Sequence, residues 1–569
     1  MNGIRQARAG RMVATCAAFA LSASCSDGGT GPSDPVLSLG SAANAANGQS
    51  LQVAGGSTGG EYVLVVTDTA VAGTGTSTYT LTTTSLTAPG TVSPPATSLV
   101  PASSASLASL LNPSGPALDM AYGSRMNERH RQSYQALMQG ARLNRQATHD
   151  LVRSDAVQPG DLLTLNVSQS VCDSVDNRQG RVAAVGTKSI VVADVNNPAG
   201  GFTDVDYARF AANFDTLIYP LDVANFGAPS DLDGNGRVIL FFTRAVNELT
   251  PPRSQSFVGG FFFGRDLFPR TATARISACA GSNVAEMFYL LAPDPAGAVN
   301  GNIRTTGFVD SLTNGVIGHE FQHLINSSRR LYVTSANDFE VVWLNEGLSH
   351  IAEELLFYRE SGLSPRQNLG APQVGATSTT VNAFNQDQAS NASRYKLYLA
   401  DPSKNSPYRN DDSLATRGAT WDFLRYAADR KVRSGGTDAD VFQALVNSNA
   451  VGVANLRAVF GADLGGMFRD WSVSQYTDDY VTAAVADFTQ PSWNWRSLYP
   501  ALGRTQSAPA KPYPLQILPL SAPSTTGTIV PGGAAFYRFS VAANTTASIS
   551  VSGGTPQTGL PQGTIVRIR

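Results

Sequence analysis

The chain has 569 residues, enough for several domains and a large buried core. Its 41 basic residues are balanced by 43 acidic ones, which argues against a nucleic-acid partner, since that needs a clustered basic face. Charged residues make up only 15% and glycines number 53, a composition suited to turn-rich β structure and common in exported proteins.

The N-terminus reads as an export signal. Arg5, Arg8 and Arg11 precede an apolar stretch, 12–23, that is too short to span a bilayer. Leu21-Ser-Ala-Ser-Cys25 resembles a bacterial lipobox, in which Cys25 is lipidated and becomes the first residue of the mature chain. Ser22 stands where such a box usually has Leu, and ordinary cleavage nearby is the alternative. Residues 1–24 are read as a lipoprotein-type signal peptide and 25–35 as a Gly/Ser/Pro tether. The expected location is the bacterial cell envelope or the extracellular space, with membrane contact through the lipid anchor only.

Residues 36–88 read as a small β module, because 61–67 and 77–83 are β-branched and aromatic runs separated by glycine-rich turns. A Pro/Ser/Ala-rich linker covers 89–117. Residues 118–156 have a helical pattern interleaved with Arg125, Arg129, Arg131, Arg142 and Arg145. Such a basic amphipathic segment packs on its own domain, lies on a membrane surface or acts as a pro-segment.

The main domain is expected over 159–489. Strands are predicted at 161–167, 180–185, 188–195 and 238–243, and a helix at 204–215. Asp231, Asp233 and Asn235 occupy positions 1, 3 and 5 of a calcium-type loop with Gly236 at position 6, suggesting a Ca2+ site. Phe242 stands where the closing glutamate belongs, so a turn before a strand is the competing reading. Cys16 leaves with the signal peptide, and Cys172 and Cys279 then form an even pair in an oxidising compartment. A disulfide is expected; two separately buried thiols are the alternative.

Three of the five histidines fall within 319–350. His319-Glu320-Phe-Gln-His323 places two imidazoles about 40° apart on one helix face, the spacing that serves a tetrahedral zinc. Glu320 lies on the flank where a carboxylate can take a proton from water. Downstream, apolar Val341, Leu344, Leu348, Ile351, Leu355 and Tyr358 recur at helical spacing. Opposite them runs a stripe of Glu346, His350 and Glu353, where a solvated face would more often carry Lys and Arg. Glu346 is the natural third ligand, with the rest of the stripe supporting the metal site.

These two segments resemble the glutamate zincins, which pair HExxH with a later helix bearing Asn-Glu, here Asn345-Glu346. In the best-known members the residue four after the ligand glutamate is an aspartate that orients a zinc histidine. Here it is His350, the candidate for that supporting role. Over 160–475 the chain resembles the hyicolysin-like family of bacterial zinc peptidases. The resemblance implies an α+β fold: a zincin-like domain with mixed sheet, HExxH helix and helical C-terminal lobe, flanked by small all-β modules. It implies one catalytic Zn2+ on His319, His323 and Glu346, Glu320 as base, and a protein or peptide substrate laid along an edge strand, for which 285–291 is the candidate. Helices at 413–430, 438–446, 453–460 and 463–470 supply the lobe. Many glutamate zincins steady the oxyanion with a Tyr or His from this lobe; no histidine follows His350, leaving Tyr395, Tyr398, Tyr408 or Arg417. Residues 490–514 read as a linker and 515–569 as a second β module, short for one. The expected activity is that of a metalloendopeptidase. The alternatives are an inactive zincin acting as a surface adhesin, and a hydrolase of cell-wall peptides.

Overall fold

The computed structural model describes residues 36–70, 75–90, 117–118, 157–170, 172–254, 256–273, 276–502, 512–555 and 559–569. The stretches read as signal peptide and tether, Cys25 and, beyond Leu118, the basic segment lie outside the described residues. Four strands come from the N-terminal stretch: β1 (Ala42–Ala45), β2 (Ser50–Ala54), β3 (Gly60–Thr67) and β4 (Ser77–Thr84). Along β3, Tyr62, Leu64 and Val66 point to one face and Val63 and Val65 to the other, yet all five are buried. A strand apolar on both faces needs cover on both.

β5 (Ala117–Leu118) is a two-residue strand ahead of the main domain. The domain's sheet is built from β6 (Leu162–Asn166), β7 (Asn177–Val185), β8 (Ser189–Asp194), β9 (Val238–Phe242), β11 (Gly260–Phe262) and β12 (Met287–Leu290), in the order β11-β12-β9-β8-β7-β6. β10 (Ser256–Phe257) stands apart and pairs in parallel with β5. The apolar β8 and β9 run parallel in the middle, where both faces are covered. The expected edge strand at 285–291 is corrected: β12 is internal, and β11 runs antiparallel beside it as the edge. The reason is local. At Gly260 a Cβ would stand 2.8 Å from the Tyr289 carbonyl oxygen, so glycine lets the Phe-rich run fold back onto β12. A disulfide joins Cys172, after β6, to Cys279, before β12.

The helices are α1 (Asp204–Asn213), α2 (Tyr219–Phe226), α3 (Arg244–Glu248), α4 (Thr306–Ser328) and α5 (Val342–Ser361), then α6 (Ala371–Val374), α7 (Ser378–Ala383), α8 (Ala389–Ala400), α9 (Leu414–Val432), α10 (Asp438–Val446), α11 (Gly452–Phe460), α12 (Leu464–Thr477) and α13 (Trp495–Ala501). The mixed sheet, the HExxH helix α4 and the helical lobe match the expected fold class. Reading 490–514 as a linker is corrected for 490–502, where Trp493 and Trp495 are buried within the lobe; 503–511 lie outside the described residues. Trp493 donates its indole N–H to Glu354 and Trp495 donates to Asp422, so each ring is both packed and satisfied.

The C-terminal strands close the account of β3. β13 (Ile517–Pro519), β14 (Ser524–Ile529), β15 (Ala534–Val541), β16 (Thr546–Gly553) and β17 (Gln562–Arg567) interleave with the N-terminal ones. The sheets read β1-β17-β3-β15-β13 and β14-β4-β16-β2. Small β sheets do flank the main domain, but 36–88 and 515–569 are not two modules: they form one sandwich, which explains why the second stretch is short. Tyr62, Leu64 and Val66 fill its interior, while Val63 and Val65 join the core of the main domain. Among the described residues, no helix is long and apolar enough to cross a membrane.

Candidate metal centre

α4 and α5 carry the site. Thr305 caps α4 by accepting from the Phe308 N–H at 3.2 Å, and α5 stops at Gly362, whose φ of 71° suits glycine. Asn326 on α4 donates to Asn345 on α5 at 3.1 Å and sets their relative register. Gly347 is the close-approach point for α9, since a Cβ there would stand 2.5 Å from Thr420 Cγ2.

This packing brings His319, His323 and Glu346 together, all buried. The two Nε2 atoms are 3.2 Å apart; Glu346 Oε2 lies 3.5 Å from that of His319, and Oε1 3.8 Å from that of His323. Donors about 2.0–2.1 Å from one zinc in a tetrahedron stand roughly 3.4 Å from each other, so the donor set fits that ion. The far ring nitrogens fit it too. Ser349 has one hydroxyl proton and gives it to Gln322 Oε1 at 2.8 Å, so at 3.0 Å its oxygen accepts from His323 Nδ1–H. His319 Nδ1 donates to Glu353 Oε1 at 2.8 Å. In the neutral form of each ring the Nε2 lone pair therefore faces the centre.

The surroundings ask for positive charge. Burial pulls the His319 imidazole down, but the Glu346 and Glu353 carboxylates more than offset it and push it up to about 10. Burial takes His323 down to about 4, keeping it neutral. Glu320 projects beside the pair, and its Oε2 accepts the backbone N–H of Phe262 on the edge strand at 2.8 Å. Burial raises the Glu320 carboxyl to about 7 against the pull of His319. That range suits a group that must both take and release a proton near neutral pH.

The side chain that bonds His319 Nδ1 is not that of His350 but that of Glu353, two helical turns after Glu346. His350 instead backs Glu353, with Nδ1 3.3 Å from its Oε1, and Arg394 Nη1 lies 3.5 Å from Oε2. Ser349 has no comparable sequence signal, whereas the face shared by Glu346 and Glu353 marked the latter. Of the four oxyanion candidates, Arg417 alone bonds to the ligand set, through Glu346. Tyr395 and Tyr398 are buried and take N–H donors from Gln490 and Gln475, while Tyr408 donates to the Ala70 carbonyl.

At the calcium-type loop, Asp231 and Asp233 come together with Glu286, which sequence reasoning missed. Asn235 Oδ1 accepts the Arg237 N–H at 2.6 Å and its Nδ2 donates to Asp233 at 2.5 Å. Asp231 likewise accepts the Gly236 N–H. These bonds make the loop a self-capped turn before β9.

No protein-family model matches the chain. The neutral metalloprotease ShpI of Staphylococcus hyicus is 28% identical over 153 residues, which cover 27% of this chain and 31% of that relative. The matched part is thus under a third of the relative's length. This distant likeness and the His-Glu-x-x-His/Glu geometry together support the zincin-type metallopeptidase superfamily.

Proposed function

We propose that this protein is an exported zinc endopeptidase of the glutamate-zincin kind, akin to the hyicolysin-like peptidases. The observation that carries the reading is the convergence of His319, His323 and Glu346 with Glu320, which is itself bonded to the edge strand. A zinc ion held by the three ligands supplies a Lewis acid that polarises the scissile carbonyl and makes water acidic. The chain's own residues do the rest. β11, the edge of the sheet, is where an extended peptide would lie, and the bond from Phe262 holds Glu320 beside that path. Glu320 takes a proton from the attacking water and passes it to the leaving amine. Glu353 and Ser349 bond the Nδ1 atoms and keep the two histidines aimed. Cys25, if lipidated, tethers the enzyme to the cell envelope; cell-wall peptides are one substrate class within this reading.

Glu320→Gln and Glu346→Ala separate enzyme from adhesin. The first should keep zinc near the wild-type content while casein hydrolysis falls to background; the second should lose both. Retained hydrolysis in Glu320→Gln sinks the mechanism. A wild type that binds zinc but cleaves no protein substrate favours the adhesin.

A further inference from the structure

Glu346 presents both carboxylate oxygens to the histidine pair, at 3.5 and 3.8 Å from the two Nε2 atoms. Both oxygens are thus within reach of an ion held by the two histidines, and the distances alone exclude neither. Arg417 does: its Nη1 donates to Oε2 at 2.5 Å. The guanidinium is held from behind by Asp412, with Nε on Oδ1 at 2.6 Å and Nη2 on Oδ2 at 2.9 Å. The Arg417 and Glu346 side chains are each 2% exposed and that of Asp412 8%. Asp412 adopts a φ of 48°, a left-handed conformation that a residue with a Cβ rarely takes. The next residue after Arg417 is fixed as well. At Gly418 a Cβ would stand 2.3 Å from the Arg394 carbonyl carbon, so α9 is seated directly on α8 where the arginine emerges.

We propose that Arg417 is a positioning residue that restricts Glu346 to one-oxygen ligation. A charge-assisted bond draws electron density from Oε2, leaving Oε1 as the better donor. Two histidines and one carboxylate oxygen fill three positions of a tetrahedral ion, and the fourth stays open for water or substrate. A carboxylate free to chelate through both oxygens would close that position. The inference rests on the zinc assignment above.

The test uses the protein with Co2+ in place of zinc, whose visible absorption distinguishes four from five ligands. Arg417→Met removes the donor; Asp412→Asn/Arg417→Met does so without leaving Asp412 as an unpaired buried charge. Both should shift the spectrum from the four-coordinate to the five-coordinate form. They should hold zinc against a competing chelator at least as well as wild type, and lose about 10- to 100-fold in peptide turnover. Asp412→Asn alone leaves Arg417 on Glu346 and should keep the wild-type spectrum, while Arg417→Lys, which retains a donor, should largely restore it. A four-coordinate spectrum in Arg417→Met, or loss of Co2+ binding in both Arg417 variants, overturns the proposal. A wild type that binds neither ion refutes the zinc assignment itself.

Discussion

Replacing Glu353 by Gln probes how the metal site is held rather than what it does. The carboxylate accepts from His319 Nδ1 at 2.8 Å, is 3.3 Å from His350 Nδ1, and faces Arg394 at 3.5 Å. Glutamine keeps an oxygen for the histidine but loses the charge that makes the imidazole a stronger donor. It also leaves Arg394 without one of its counter-charges. Partners of this kind typically contribute 10- to 100-fold to metal affinity or turnover, or about 1.4–2.8 kcal/mol. We expect Glu353→Gln to weaken zinc binding and lower kcat/KM within that range, without abolishing either. His350→Gln, which removes a ring 3.3 Å from Glu353 and 4.0 Å from Glu346 and no hydrogen bond to a zinc histidine, should cost less. The assay is chelator competition for zinc alongside hydrolysis of a quenched fluorescent peptide. If Glu353→Gln keeps wild-type values on both, or if His350→Gln is the worse variant, the orienting role is misplaced.

Reducing the Cys172–Cys279 bond, or replacing both cysteines by Ala, frees a loop spanning 107 residues. On the chain-entropy estimate this lowers stability by about 4.7 kcal/mol, read as a fall in denaturation midpoint; an unchanged midpoint contradicts it. Burial raises the Glu286 carboxyl from 4.5 to about 7, with Asp233 adding to the rise. Its protonation therefore stabilises the fold fully below pH 4.5 and is lost as pH rises through about 7, a contribution of about 3 kcal/mol. Glu286→Gln should flatten that part of the stability–pH curve, and a curve matching wild type between pH 5 and 8 rules the account out. Expressed in a lipoprotein-competent bacterium, the protein should partition into detergent and Cys25→Ala into water. Wild type already in the aqueous phase ends the anchor proposal.

Sequence alone determined what depends on local spacing. Two histidines four residues apart share a helix face wherever that helix sits, so His319 and His323 were legible at once, with Glu320 on their flank. The apolar periodicity of 341–358 likewise placed Glu346 and Glu353 on the opposite stripe. The pairing of Cys172 with Cys279 was expected from parity and from the compartment that the N-terminus suggests.

What the tertiary structure decided concerns contacts between stretches far apart in the chain, where spacing carries no information. Which strand is the edge turned on how closely β11 could approach β12, a question settled by one glycine. Whether His350 or Glu353 orients His319 depended on the crossing of α4 and α5, which brings both to the ring but sets the i+7 residue, Glu353, on its Nδ1. Trp493 and Trp495 sit in a Pro/Ser-rich stretch that reads as linker, and only the buried Glu354 and Asp422 give their N–H groups a home. None of β1 to β4 pairs with another of the four, and of the C-terminal strands only β13 pairs within its own stretch, on β15. β3, apolar on both faces, becomes stable only when strands from the other end of the chain flank it and the main domain covers its outer side.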